Sequence, residues 1–117
     1  MAEIFLMEDS APLRRILTEV LRSADHNVTA MEDGLGSQDR DFLDRADLLV
    51  TDIEMPRIGG IAVIASVRMS HPNLPIIVVS GKAESEIQQS GYDEYLHKPV
   101  DPDHFIDVIN RHLARAA

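Results

Sequence analysis

The sequence predicts an α/β domain: one parallel sheet of five strands with crossover helices on both faces. Three observations carry this expectation. Apolar runs rich in β-branched residues alternate five times with segments of helical period. The first, third and fourth runs are almost wholly apolar, as strands covered on both faces should be. The second and fifth are more polar and suit the edges of the sheet.

The runs are Glu3 to Met7, His26 to Met31, Asp47 to Asp52, Leu74 to Ser80 and Gly91 to His97. Between the first two, Leu13, Ile16, Leu17, Val20, Leu21 and Ala24 recur at helical spacing, with Ser10 and Pro12 as start signals. A third helix is predicted from Gly60, through Ile61, Ile64, Ala65 and Arg68. It ends before His71-Pro72, since a residue preceding proline avoids the helical region. The last helix is predicted from Pro102, capped by Asp101, through Phe105, Ile109 and Leu113. Two helical segments are weak: Leu35 to Arg45 is anchored only by Phe42 and Leu43, and Ala83 to Ser90 only by Ile87.

A chain of 117 residues suffices for one domain with a real core and is too short for two, so residues 1–117 are expected to form a single domain with no appended output domain. The 20 acidic and 11 basic side chains leave a net charge of -9. This surface repels phosphate backbones, and nucleic acid is not expected as a partner. With no cysteine, disulfides and thiolate metal sites are excluded. No apolar stretch approaches the ~20 residues of a membrane span, and MAEIFLMED lacks the pattern of a signal peptide. A soluble cytoplasmic protein without membrane association is expected. The five histidines, His26, His71, His97, His104 and His112, show no ligand spacing and are read as surface or edge residues.

Right-handed crossovers leave doubly wound topologies. In the flavodoxin-like strand order 2-1-3-4-5, ligands bind beyond the carboxyl ends of strands one and three, where the winding reverses. The polar residues of the chain converge there: Glu8-Asp9 after strand one, Asp52 after strand three, Ser80 after strand four and Lys98-Pro99 after strand five. Each alone reads as a helix cap, a turn residue or a solvated charge. Together, the clustered carboxylates repel one another unless a cation or a proton intervenes. A hard divalent cation such as Mg²⁺, held by Asp9, Asp52 and a backbone carbonyl just after Asp52, with Glu8 on a bound water, resolves the repulsion. Lys98 supplies a point charge for a phosphoryl oxygen. An ionised aspartate needs no general base to act as a nucleophile. Neutralisation by Mg²⁺ and Lys98, with a hydrogen bond from Ser80, makes Asp52 a candidate aspartyl-phosphate site.

The chain resembles a response-regulator receiver domain of two-component signalling over essentially its full length. The matching pieces are the acids of MEDS (Glu8, Asp9), TDIEMP around Asp52 with Gly60 four residues after Pro56, the hydroxyl of VVSG (Ser80), and YLHKP (Tyr95, Lys98, Pro99). The nearest match in kind is to single-domain regulators of chemotaxis or phosphorelays, which act by protein contact. The resemblance implies phosphoryl transfer to Asp52 from a histidine kinase or a histidine phosphotransfer protein with Mg²⁺ bound. Such a domain catalyses only its own phosphorylation and dephosphorylation and is a monomer or weak dimer. It also implies that the Glu54 carbonyl is a metal ligand, and that Ser80 and Tyr95 switch the face made by the fourth helix, fifth strand and fifth helix. The Lys98-Pro99 bond is expected to be cis. Glu54 and Lys82 occupy positions that in the family border the path of the hydrolytic water, which makes them candidates for tuning phosphoryl lifetime.

The interval from Ser80 to Lys98 is shorter than the family's usual one by about four residues, close to one helical turn. The fourth helix is therefore predicted to be short or irregular, and lower order is expected from Gly81 to Ser90 than in the sheet. Three other readings share this fold or this chemistry. A pseudo-receiver would keep the fold as a binding module without phosphorylation, but the acids, Ser80 and Lys98 are all present. A haloacid dehalogenase-type phosphatase would carry a D-x-D motif after strand one, where this chain has Glu8-Asp9. A flavodoxin-like electron carrier needs a first loop rich in hydroxyls and glycine, and MEDSAP would repel its flavin phosphate.

Overall fold

Alternation at period two along the inner strands divides their side chains between two cores, and this decides which helix covers which face. The computed structural model describes residues 1–34, 40–87 and 91–116. Its elements are β1 (Glu3–Met7), α1 (Ala11–Ser23), β2 (Asn27–Met31), α2 (Arg40–Arg45), β3 (Leu48–Thr51), α3 (Gly60–Ser70), β4 (Ile76–Ser80), a single 3-10 turn (Glu84–Glu86), β5 (Glu94–His97) and α4 (Pro102–Ala116). All strand pairs are parallel and the order is β2-β1-β3-β4-β5, the doubly wound order predicted.

Ile4, Leu6, Leu48, Val50, Ile77 and Val79 point into one core with Leu17 and Leu21 of α1 and Phe105, Val108 and Ile109 of α4. Phe5, Met7, Leu49, Ile76 and Val78 point into the other with Leu43 of α2 and Val63, Ile64 and Val67 of α3. Every residue of β3 and β4 is buried, whereas β2 and β5 at the edges are only partly covered. Among the described residues no helix is long and apolar enough to cross a membrane.

The start signals work as their chemistry requires. Ser10 is extended, and its Oγ accepts from the Leu13 amide at 3.4 Å at the start of α1. Asp101 caps α4, its carboxylate accepting from the His104 amide at 3.0 Å. At the weak segments helical structure is sparse among the described residues, in keeping with the expected short or irregular fourth helix. Of Leu35 to Arg45, α2 covers only Arg40–Arg45, and residues 35–39 lie outside the described set. Of Ala83 to Ser90, the described part holds only the 3-10 turn, and Ile87 alone drops into the α3-side core. Residues 88–90, the end of the stretch from Gly81 to Ser90 for which lower order is expected, lie outside the described set. β5 begins later than Gly91 because Gly91 has φ +117, which breaks the extended run.

One histidine corrects the sequence reading. His112 is 7 % exposed, turned inward by the period of α4, and its Nε2 lies 2.7 Å from Glu94 Oε1 on β5. Arg111 donates to the same oxygen at 2.8 Å. The His112 hydrogen bond holds the Glu94 carboxyl below its ordinary value of 4.5, against the opposing effect of burial and with help from Arg111. A depressed carboxyl contributes stability that is present above the unfolded value and is lost as pH falls through the folded one. Glu94→Gln is therefore expected to be less stable than wild type at pH 7, with the gap closing on acidification. Urea midpoints at neutral pH and well below 4.5 measure this, and a gap independent of pH would exclude the Glu94 pair as its source.

Candidate functional site

Register builds the site. Met7 of β1 lies opposite Thr51 of β3, so Glu8-Asp9 and Asp52 leave the sheet side by side. Backbone bonds carry the ladder one step further: the Asp52 amide donates to the Met7 carbonyl at 2.9 Å and the Glu8 amide to that of Met31 at 2.9 Å. Asp52 is 4 % exposed and Glu8 1 %, while Asp9 faces solvent. Each of the three offers a carboxylate oxygen, and these oxygens lie within 4.8 Å of one another.

Lys98 reaches into this cluster from the far side of β4. Its Nζ is 2.7 Å from Asp52 Oδ2 and 3.1 Å from Glu8 Oε1. The other Asp52 oxygen, Oδ1, accepts from the amides of Ile53 at 2.6 Å and Glu54 at 3.3 Å. Glu8 Oε2 accepts from the Ser10 amide at 3.0 Å. The Lys98 ammonium donates to Glu8 Oε2 as well, at 3.4 Å, while Glu8 Oε1, though 3.1 Å from it, is buried and makes no hydrogen bond. Burial raises the Glu8 carboxyl to about 7; the Asp52 charge adds to this, and the Ser10 amide and Lys98 oppose it. Burial alone would lower the Lys98 ammonium, but its bonds to Asp52 and Glu8 outweigh that and raise it, so it remains charged. Three acidic oxygens against one ammonium, one of them buried without a donor, fit a hard divalent cation.

Ser80 ends β4 and is 1 % exposed. Its Oγ accepts from the Lys82 amide at 3.0 Å. The Tyr95 hydroxyl donates to the carbonyl of the same Lys82, and the Lys82 ammonium is 3.6 Å from Glu54 Oε1. One residue thus joins Ser80, Tyr95 and Glu54. Burial, then the charges of Glu84 and Glu86, push the Tyr95 phenol up, so it stays protonated and able to donate. The Lys98-Pro99 peptide is cis, and the Lys98 amide donates to the Ser80 carbonyl at 2.9 Å. Gly60 opens α3 against the back of the site. A Cβ there would lie 2.0 Å from the Asp52 carbonyl oxygen.

The candidate side chains lie in two linked groups, Glu8, Asp9, Asp52 and Lys98, and Ser80, Lys82, Glu54 and Tyr95, with Pro99 on the cis bond after Lys98. The joining role of Lys82 runs through its peptide group, which no side-chain pattern signals. A second feature that the sequence did not reveal is Asp33, 6 % exposed, whose carboxylate lies 2.8 Å from Arg57 Nε. Arg57 sits at φ 65 in the loop after Asp52, and this pair ties the β2 and β3 loops together.

An aspartate set among acids at the switch point of a 2-1-3-4-5 sheet, with a lysine on its carboxylate and a buried hydroxyl on the next strand, defines the receiver class of signalling domains. The chain belongs to the response regulator receiver domain family, whose model matches residues 4–110. Among curated proteins it is 27 % identical to the DNA-binding transcriptional regulator NtrC of Klebsiella pneumoniae, over 94 % of this chain and 24 % of that protein. It is 33 % identical to the transcription factor SKN7 of Chaetomium thermophilum, over 95 % of this chain and 15 % of that protein. The chain therefore spans a quarter or less of the length of these relatives. Among solved structures it matches the response regulator TrrA of Thermotoga maritima, in complex with Mg²⁺-BeF, with TM-score 0.86 and 25 % identity over 96 % of this chain and 99 % of that one. The chemotaxis protein CheY4 of Vibrio cholerae matches with TM-score 0.85 and 25 % identity over 95 % and 98 % of the two chains. Membership in this family places the chain outside the haloacid dehalogenase and flavodoxin families.

Proposed function

We propose that this domain accepts a phosphoryl group on Asp52 from a phosphohistidine of a histidine kinase or histidine phosphotransfer protein, in cytoplasmic two-component signalling. The observation that carries this reading is the Asp52 carboxylate, 4 % exposed, with the Lys98 ammonium 2.7 Å from one oxygen and two further acids beside it. A carboxylate oxygen of Asp52 forms the bond to phosphorus, the P–N bond to the imidazole breaks, and the leaving nitrogen keeps the electron pair. Lys98 offsets the negative charge of the incoming phosphoryl oxygens, and Ser80 hydrogen-bonds one of them. Glu8, Asp9, Asp52 and the Glu54 carbonyl are the residues that would hold Mg²⁺, which when bound supplies further positive charge at the same point. That TrrA was solved with Mg²⁺-BeF supports this choice of ion.

A turn of Ser80 toward the phosphoryl group would disturb the bond that its Oγ accepts from the Lys82 amide, and the Lys82 carbonyl is the acceptor of Tyr95. Phosphorylation is thereby read out by a protein partner on the face of β5, α4 and the segment after β4. The domain catalyses no reaction but its own phosphorylation and the hydrolysis of its acyl phosphate. Lys82 and Glu54, paired over the mouth of the site, limit access of water to that phosphate. Lys82→Ala is expected to shorten the phosphoryl half-life by roughly threefold, the scale of an exposed ion pair. Decay of the phosphorylated form followed by intact mass checks this, and an unchanged half-life removes Lys82 from the account.

The proposal is tested by incubating the protein with a small acyl phosphate, with and without Mg²⁺. A Mg²⁺-dependent gain of one phosphoryl group is expected. No gain under either condition favours the alternative, a module that binds partners through this fold without being phosphorylated.

A further inference from the structure

β5 is the least supported strand of the sheet. It has four residues and pairs with β4 alone, yet it carries Tyr95 and delivers Lys98 to Asp52. A slip of one residue along β4 would turn Tyr95 to the opposite face and shift Lys98 by about 3.3 Å, breaking its contact with Asp52. The connection from β4 to β5 has no α-helix among its described residues to brace the strand.

The bracing comes from α3. In its last turn the Arg68 guanidinium reaches two segments at once, the one before β4 and the one before β5. Nε donates to the Gly91 carbonyl at 2.6 Å, Nη1 to the Leu74 carbonyl at 2.6 Å, and Nη2 to Asp93 Oδ2 at 2.8 Å. The same Asp93 oxygen accepts from the Ile76 amide at 2.8 Å, and the Asp93 amide returns a bond to the Ile76 carbonyl at 2.8 Å. The first residue of β4 and the residue before β5 are thus fixed opposite each other, one position ahead of the Ile77–Glu94 pair. Gly91 lets the chain pass close over α3, where a Cβ would lie 3.0 Å from Ile64 Cγ2. The Arg68 side chain is 23 % exposed, and only a planar group with five donors can serve these acceptors together.

We propose that Arg68, with Asp93, is a positioning residue for the phosphorylation site: it locks the register of β5 on β4 and so holds Lys98 and Tyr95 in place without touching any reacting group. The inference deepens the reading of Asp52 as phosphoacceptor and rests on it for its functional part. Lys98 is five residues beyond Asp93, so the clamp acts from the opposite end of the strand, about 16 Å away in extended chain.

The test is hydrogen exchange on the full chain, joined to the rate of phosphorylation by a small acyl phosphate. In Arg68→Ala and Asp93→Ala the Lys98 amide, bonded to the Ser80 carbonyl, is expected to exchange at least about tenfold faster. The Glu8 and Asp52 amides, on β1 and β3, should keep their protection. Phosphorylation should slow by about tenfold or more through the misplaced lysine. Mg²⁺ binding, whose ligands follow β1 and β3, should not weaken, since a displaced ammonium leaves the repulsion among the acids to the cation. Asp93→Asn keeps an acceptor oxygen for both Ile76 and Arg68 and should behave like wild type in all three measurements. The proposal is overturned if the alanine variants protect Lys98 as wild type does, or if they lose β1, β3 and β5 protection together, which marks a general loss of stability. If wild type itself gains no phosphoryl group, the phosphoacceptor reading fails, and the exchange data still decide whether Arg68 locks β5.

Discussion

Lys98→Ala is expected to lose phosphorylation and, without Mg²⁺, to unfold more easily than wild type. Removing one partner of a buried ion pair costs about 3–5 kcal/mol, because the other charge is left without compensation. Here two considerations lower that figure. A quarter of the Lys98 side chain is exposed, and Glu8, already raised to about 7, can neutralise itself by taking up a proton. The lower end, about 3 kcal/mol, is therefore expected at neutral pH. Mg²⁺ should restore stability more strongly in the variant than in wild type, since the cation and the ammonium relieve the same repulsion. Urea unfolding with and without Mg²⁺ measures both effects, and a variant as stable as wild type in chelator would contradict this picture of the site.

Gly60→Ala is the second large effect, and its sign rests on two opposed contributions. Alanine favours a helix over glycine by about 1 kcal/mol, and Gly60 is the first residue of α3. Against this, the added Cβ would stand 2.0 Å from the Asp52 carbonyl oxygen and 2.8 Å from Ile53 Cα, both backbone atoms of the loop that carries Asp52. Overpacking of this kind costs about 1–3 kcal/mol even where flexible side chains can move aside. Net destabilisation is expected, with slower phosphorylation because the Asp52 loop must shift. Thermal unfolding and the rate of phosphoryl gain report the two parts, and an alanine variant more stable than wild type would show that the loop has room to spare.

The fold was legible because the inner strands are apolar on both faces and the edge strands are not. Glu3 to Met7, Asp47 to Asp52 and Leu74 to Ser80 became β1, β3 and β4, and the helices with caps and clear period became α1, α3 and α4. The weak interval after β4 was legible too: with Ile87 as its one anchor and about one turn too few residues, it is expected to be short or irregular, and its described part holds a single 3-10 turn. The acids, Ser80 and Lys98 were legible because each lies at or just beyond the carboxyl end of a strand, so topology alone gathers them. What was hidden depends on backbone groups and distant partners. The Lys82 peptide joins Ser80 to Tyr95 through its N–H and C=O, and its residue type says nothing of that. His112 became a buried partner of Glu94 only once α4 docked on β5. Arg68 left a faint signal, a cation one turn after Ile64 on a helix that is otherwise almost wholly apolar.

The central claim is that Asp52 carries the phosphoryl group, and the most direct measurement locates it. An aspartyl phosphate is an acyl phosphate, which hydroxylamine converts to a hydroxamate, whereas a phosphoserine is left intact. After treatment with a small acyl phosphate and Mg²⁺, then hydroxylamine and proteolysis, the peptide containing Asp52 should carry the hydroxamate, and Asp52→Asn should carry none. A stable phosphate on Ser80, or a hydroxamate on Glu8 or Asp9 with Asp52 unmodified, would contradict it.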